Sequence, residues 1–394
     1  MKINEIFRKE SPYKAFIISL LTIGLSYGLY KGILDNYLAE VVKMGEFDRG
    51  LLEFFRELPG FLLIFIIALL YSLSAECIFK LASIIMIIGI VALASVPASK
   101  ILVICAIFIY STGEHIQLGM KNTLCLDYAK KGHGGEALGI QNALSNFGNI
   151  FGFIVVTVLF LIIPSTEKSF RIIFLISALI LTLSAISSFT LKGNNRPDAS
   201  KKRFYFRKKY TKYYMLEIFY GARKQIFFTF GPYVLILFYG ADASIISLLF
   251  TISALLCFFI APLVGRLIDK IGYKIVMVSD TIILVVVCFF YGFAHHIFPM
   301  HIAFIVCCVN YILDSIISLA SMASNVYVQD ISDNQEEVRA TINTGISVNH
   351  LISIIIALFG GLIWQKTGIE TLFTLSAILG LCNSAYAATI KVRK

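Results

Sequence analysis

The decapeptide Gly265-Arg266-Leu267-Ile268-Asp269-Lys270-Ile271-Gly272-Tyr273-Lys274 is a charged island between two long apolar runs. Residues 245–265 before it and 275–295 after it each approach the roughly 20 apolar residues that cross a hydrocarbon core of about 30 Å. The island therefore reads as a tight turn between two membrane helices. The rest of the chain agrees with that setting. Of its 394 residues, 58% are hydrophobic and only 15% charged, and the mean hydropathy is +0.82. So little polar surface cannot cover a water-soluble protein of this length, so lipid must be the solvent for most of it.

Cut at its polar breaks, the sequence predicts about twelve helices, at 15–38, 51–72, 80–97, 101–124, 137–163, 170–191, 213–239, 245–265, 275–295, 300–323, 338–363 and 369–390. The widest break, 192–212, carries nine Lys and Arg residues and separates six helices from six. The expected architecture is an all-α polytopic membrane protein, with one six-helix bundle over 1–191, a basic linker over 192–212 and a second bundle over 213–394. With both termini and the linker on one side, 23 basic residues lie there against six on the other. That bias predicts cytoplasmic termini and a cell membrane, plasma or inner, as the location. It also argues against nucleic acid as a partner, because the net charge of +10 is spread over alternate loops rather than gathered on one face. The eight cysteines lie mostly in apolar runs without a Cys-x-x-Cys pair, and read as packing residues. The first apolar run contains Lys31 and Asp35, which a cleaved signal segment would not, so it is expected to stay as a helix.

The two halves look like repeats. Gly28-Leu29-Tyr30-Lys31-Gly32 precedes Gly221-Ala222-Arg223-Lys224-Gln225 by 193 positions, and the stretch from Gly135 to Asn142 parallels that from Glu336 to Asn343 at a shift of 201. Two matches at nearly one offset, flanking a central linker, point to a duplicated six-helix unit.

The order small-x-Leu-x-Asp-basic-x-Gly-x-basic in Gly265–Lys274 resembles the loop after the second helix of each half of major facilitator superfamily transporters. The resemblance implies a twelve-helix secondary transporter working by alternating access, with a central cavity lined by helices 1, 4, 7 and 10. It also implies an inner gate in which Gly265 permits close helix approach, Asp269 accepts from a facing helix N-terminus, and Arg266 and Gly272 belong to the same turn. The first-half counterpart, Tyr71 to Lys80, keeps only its closing Lys80. On the fifth helix, Gly139, Gly148 and Gly152 resemble the start of the family's antiporter motif. Phe153 stands where proline would follow and the terminal glycine pair is missing, so close packing explains them better and export is only slightly favoured over import.

The charges left inside the predicted helices are the strongest functional signal, because an ionised side chain near the bilayer centre costs about 2.5–3.5 kcal/mol even on a lenient scale. The basic ones are Lys31, Arg56, Lys121, Arg223 and Lys224; the acidic ones are Asp35, Glu53, Glu57, Glu114, Glu217 and Asp314, with His115 beside Glu114. At about 1.5 Å per residue, Glu114, Lys224 and Asp314 lie about 18–21 Å along their helices, near the midplane. Lys31 and Asp35, spaced i to i+4, pair across one turn, and with Arg56 and Glu57 they form an outer layer suited either to gating or to substrate. Lys31, Lys121, Arg223 and Lys224 would attract an anionic group, Glu114 and Asp314 a cationic one, and Asn142 on the fifth helix is a further pore-lining candidate. Glu114 and Asp314, with His115, are the candidates for carrying a coupling proton.

The expected function is therefore secondary transport of a small organic anion or zwitterion, with protons as the coupling ion, by a monomer in a lipid bilayer. The rivals are a uniporter or nutrient importer in which the carboxylates only neutralise Lys31 and Lys224, and a transporter-like receptor that binds without translocating. No phosphate-cradling glycine loop, Ser-His-Asp spacing or metal-ligand cluster stands out, so neither catalysis nor a cofactor is expected. His295, His296 and His301 surround an outer loop without an acid nearby in sequence.

Overall fold

The computed structural model describes residues 3–70, 72–191 and 206–391. Tyr71 and the greater part of the predicted linker lie outside the described residues. The helices are α1 (Tyr13–Asn36, extended by a π turn, Tyr37–Val41), α2 (Glu46–Leu69), α3 (Ala75–Ser95), α4 (Lys100–Tyr128), α5 (Gly134–Ile162) and α6 (Glu167–Phe189). In the second half follow α7 (Thr211–Leu237), α8 (Ala243–Ile271), α9 (Tyr273–Ile297) and α10 (Met300–Ile331). The helical stretch Gln335–Ala388 is broken at Gly368, which has φ +89° and ψ 172°, giving α11 over 335–367 and α12 over 369–388. Side chains such as Leu161, Ile162, Leu179, Ile186, Phe259 and Ile282 are exposed, as helices facing lipid require. The chain is an all-α polytopic membrane protein.

It divides into two compact units. Unit 1 comprises Met1–Lys43, Leu58–Lys201 and Asp242–Thr251, and unit 2 comprises Met44–Glu57, Lys202–Ala241 and Ile252–Lys394. Helices α2 and α8 thus each contribute to both.

Within unit 1, α1 packs on α5 and α6, and α3 on α4 and α6. Glycines make the α1–α5 crossing. A Cβ on Gly28 would collide with the Asn149 carbonyl, and one on Gly148 would stand 2.6 Å from the Leu21 oxygen and 2.7 Å from the Leu25 nitrogen. Serines make the α1–α6 crossing: Ser26 Oγ donates to Ser177 O at 3.0 Å and Ser177 Oγ to Ser26 O at 2.8 Å. Small residues of this kind let helices meet backbone to backbone where water provides no driving force.

Unit 2 repeats the scheme. Gly221 of α7 lies against α11, where a Cβ would come within 2.9 Å of the Asn349 amide, and Gly380 of α12 lies against Leu284 and Thr281 of α9. Asn149 and Asn349 thus occupy corresponding places, each on the helix that meets the glycine of Gly28–Gly32 or Gly221–Gln225. Two lysines correspond as well. Lys80 Nζ donates to Leu191 O and Lys274 Nζ to Ile390 O, both at 2.9 Å, tying α3 to the end of α6 and α9 to the end of α12. The internal repeat is therefore visible in packing as well as in sequence.

Candidate functional site

A group of buried polar side chains beside a cavity in unit 2 is built on α7. Arg223 is 2% exposed. Its Nη2 lies 3.5 Å from Asp280 Oδ2 on α9, and its guanidinium sits 5.1 Å from the Tyr220 ring centre, within range of a cation–π contact. Nε of Arg223 is buried without a hydrogen-bond partner among the described residues. Asp314, buried on α10, feels the positive charges of both Arg223 and Lys224. Two turns before Arg223, the buried Glu217 accepts from Ser324 Oγ of α10 at 3.0 Å and from Asn349 Nδ2 of α11 at 3.3 Å. A small cavity of about 20 Å³ opens among Glu217, Tyr220, Asp280, Ser321, Ser324 and Asn383. One buried guanidinium and three carboxylates, with hydroxyl and amide groups beside them, bring both signs of charge into one neighbourhood.

A second group lies where α2 contributes to unit 2. Glu53, fully buried, accepts from Arg49 Nη1 at 2.8 Å, from Arg56 Nε at 2.9 Å and Nη2 at 2.6 Å, and from Gln225 Nε2 at 3.0 Å. Glu57 is bonded by Arg56, and its other oxygen lies 2.7 Å from His350 Nδ1 on α11. Close helix contact makes this pairing possible. A Cβ on Gly50 would collide with the Ala357 carbonyl, and one on Gly361 would stand 2.7 Å from the Glu46 oxygen.

In unit 1, Lys31 and Asp35 form the predicted pair, Nζ to Oδ2 at 2.7 Å, with the ammonium 5.4 Å from the Phe250 ring centre. Glu114 and Lys121 sit two turns apart on α4, both half-buried and within electrostatic reach of each other. His115 is buried, and its Nδ1 turns to Ser111, 2.9 Å from the backbone oxygen and 3.1 Å from Oγ.

The structure gathers some of the sequence candidates and scatters others. Arg223 and Asp314 share one neighbourhood, whereas the Lys224 side chain is exposed, as is that of Asn142. Arg49, expected in a loop, is 1% exposed inside α2, which begins at Glu46 rather than near residue 51. In the decapeptide, Gly272 has φ +89° as N-cap of α9 and needs its lack of a side chain. Gly265 has open space where a Cβ would stand, so no close helix contact depends on it here. Arg266 and Asp269 are exposed, with no hydrogen bond to another described residue. Among the fifth-helix glycines, Gly148 and Gly152 serve the α1 crossing, while Gly139 faces open space. Sequence reasoning missed Asp280, the one carboxylate inside the apolar run 275–295, although its isolation there was a readable signal.

The arrangement defines a class, the polytopic helical membrane protein with buried charge between its helices. The family model described as Major Facilitator Superfamily matches residues 213–393, and no curated protein matches the sequence. Among solved structures, the fold is similar to nucleoside transporter NupG (TM-score 0.73, 17% identity, 96% of this chain and 99% of that one). It is likewise similar to a POT family transporter in complex with 5-aminolevulinic acid (TM-score 0.72, 10% identity, 94% of each chain). A bacterial homolog of the human lysosomal transporter Spinster, in an inward-facing and occupied conformation, gives a TM-score of 0.71 at 12% identity over 95% of each chain. Residues 213–393 thus match the major facilitator superfamily, and the fold of the whole chain is similar to that of these transporters.

Proposed function

We propose that the chain is a secondary active transporter that moves a small organic zwitterion or anion by alternating access, binding it at the group around Arg223. The observation that carries this reading is a buried guanidinium with an unsatisfied Nε beside a cavity edged by Glu217 and Asp280. A substrate carboxylate takes Arg223, and an ammonium group takes Glu217 or Asp280; an anion uses the first half of this arrangement alone. Peptides and 5-aminolevulinic acid are zwitterions, which makes them suitable first probes alongside nucleosides.

Protons are the coupling ion in this reading. Asp314 is the first carrier, since it is buried and close enough to Arg223 for its charge to depend on what that residue binds. Glu114 is the second, and His115, turned to Ser111, positions rather than carries. The pairs Lys31–Asp35 and Arg56–Glu57, with His350, act as gating contacts, and the turn Gly265–Lys274 as the opposite gate. The reading keeps 1–191 and 213–394 as two functional halves, with the termini and the 192–212 linker cytoplasmic in a cell membrane, and a monomer as the working unit. The α1–α5 crossing accounts for Gly148 and Gly152, so these glycines supply no argument for export.

The test is counterflow of radiolabelled dipeptide, 5-aminolevulinic acid and nucleoside in proteoliposomes. Arg223→Met should abolish counterflow of the accepted probe, while Lys224→Met retains most of it. Equal activity of Arg223→Met and the parent protein would overturn the assignment of the site. Collapse of concentrative uptake by a protonophore, absent in Asp314→Asn, is expected; uphill uptake that ignores the protonophore would remove proton coupling and leave a uniporter or another ion.

A further inference from the structure

The end of α9 and the start of α12 bring together three side chains that the transport reading does not use. His295 and His296 occupy the last turn of α9, and Glu370 stands two residues past the Gly368 break. Nε2 of His295 lies 3.2 Å, and Nε2 of His296 3.0 Å, from the same carboxylate oxygen, Glu370 Oε1. Adjacent residues on a helix normally point about 100° apart; here α9 ends one residue later, at Ile297, and the two rings come to 3.9 Å between centres. We propose that His295, His296 and Glu370 form a binding site for a divalent transition-metal ion of the Zn²⁺ type.

The donor set and its spacing carry the assignment. Two imidazole nitrogens and one carboxylate oxygen suit Zn²⁺, Cu²⁺ or Ni²⁺ rather than Mg²⁺ or Ca²⁺, which prefer oxygen. With metal–ligand bonds of about 2.0–2.2 Å, neighbouring donors of a tetrahedral ion stand about 3.3–3.4 Å apart. The present donors all lie within 4.8 Å of one another, so side-chain rotation alone would seat the ion. His295 is 11% exposed, Glu370 30% and His296 58%; one side of the group is anchored and the other open to water, which can fill the fourth position. Phe238, capping the C-terminus of α7, holds the His295 ring from behind, with ring centres 4.8 Å apart. Nδ1 of His295 is buried with no hydrogen-bond partner among the described residues; the Glu370 carboxylate draws the ring proton to Nε2, and a cation taking Nε2 would move it to Nδ1. A Cβ on Gly368 would collide with Glu370 Oε2; the glycine that breaks the helix thus also leaves room for the ligand. The bound ion would staple α9 to α12 across 74 residues of chain.

The experiment uses the full chain, purified on a tag without histidine, stripped with chelator and held in detergent. Zn²⁺ titration by calorimetry should show one ion per chain. His296→Ala and Glu370→Gln should each weaken that binding by roughly tenfold or more, while His301→Ala leaves it unchanged. Because His296 is largely exposed, its replacement leaves the fold intact. Co²⁺ in place of Zn²⁺ should give a visible absorption band that is lost in the same two variants. No stoichiometric binding at about 100 µM Zn²⁺, or parental affinity in both His296→Ala and Glu370→Gln, would overturn the site and leave a plain His–Glu ion pair.

Discussion

Glu53→Gln offers the sharpest test of how unit 2 tolerates charge in its interior. The substitution keeps the shape of a side chain that is fully buried and accepts from Arg49, Arg56 and Gln225 at 2.6–3.0 Å. Among Arg49, Glu53, Arg56 and Glu57 the formal charges cancel two against two; the amide leaves one positive charge in excess. Breaking a buried ion pair by removing one partner costs about 3–5 kcal/mol, because the remaining charge is neither hydrated nor matched. Unfolding entropy is about 2.1 cal/mol/K per residue, so a chain of 394 residues that melts as one would lose about 4–6 °C of Tm, and roughly twice that if unit 2 melts alone. Thermal denaturation in detergent, followed by a thiol-reactive dye on the buried cysteines, reads this directly. The double variant Arg49→Met, Glu53→Leu replaces the pair by apolar groups and should recover at least half of the loss, since buried ion pairs exchange for packed apolar side chains at little net cost. A Glu53→Gln Tm within about 1 °C of the parent would refute the reasoning, as would a double variant that melts lower still.

Three further outcomes are expected from the same assay. Gly272→Ala should destabilise by about 1–2 kcal/mol because its φ of +89° is left-handed, whereas Gly265→Ala, with open space around it, should stay within about 0.5 kcal/mol of the parent. Gly28→Val should destabilise strongly or abolish folding, because its first added carbon already meets the Asn149 carbonyl, and Gly139→Ala should be neutral or mildly stabilising. Lys274→Met, which frees the Ile390 carbonyl from its 2.9 Å bond, should cost about 1.5–3 kcal/mol, and Lys80→Met about the same.

Much of the fold was legible because lipid imposes a simple rule: about 20 apolar residues per crossing, separated by polar turns. That rule recovered the helices, and the decapeptide, within the matched residues 213–393, carried the family resemblance. It misplaced the start of α2, because Glu46, Asp48 and Arg49 look like a loop until their partners are known. Arg49 is buried only because Glu53, four residues on, neutralises it. The site was half legible. Isolated charges such as Arg223 and Asp314 announce themselves in apolar runs, and so did Asp280, though it went unread. Pairings between helices left no local trace: nothing near His350 names Glu57, and nothing near His295 names Glu370, 75 positions away. The i to i+4 pair Lys31–Asp35 was readable because one helix holds both members.

Asn149 and Asn349 show what a duplicated scaffold permits. With its amide oriented by its acceptors, Asn149 donates to the backbone oxygen of Gly24 at 2.9 Å, and its role ends in helix packing. Asn349, at the matching crossing, has a carboxylate for a partner, Glu217. One copy serves packing, while the other is bonded to a carboxylate that lines the cavity. A protein that carries a contact twice can let one copy turn toward a ligand without forfeiting the architecture the contact serves, and the asymmetry between paired positions becomes a map of where specificity is free to evolve.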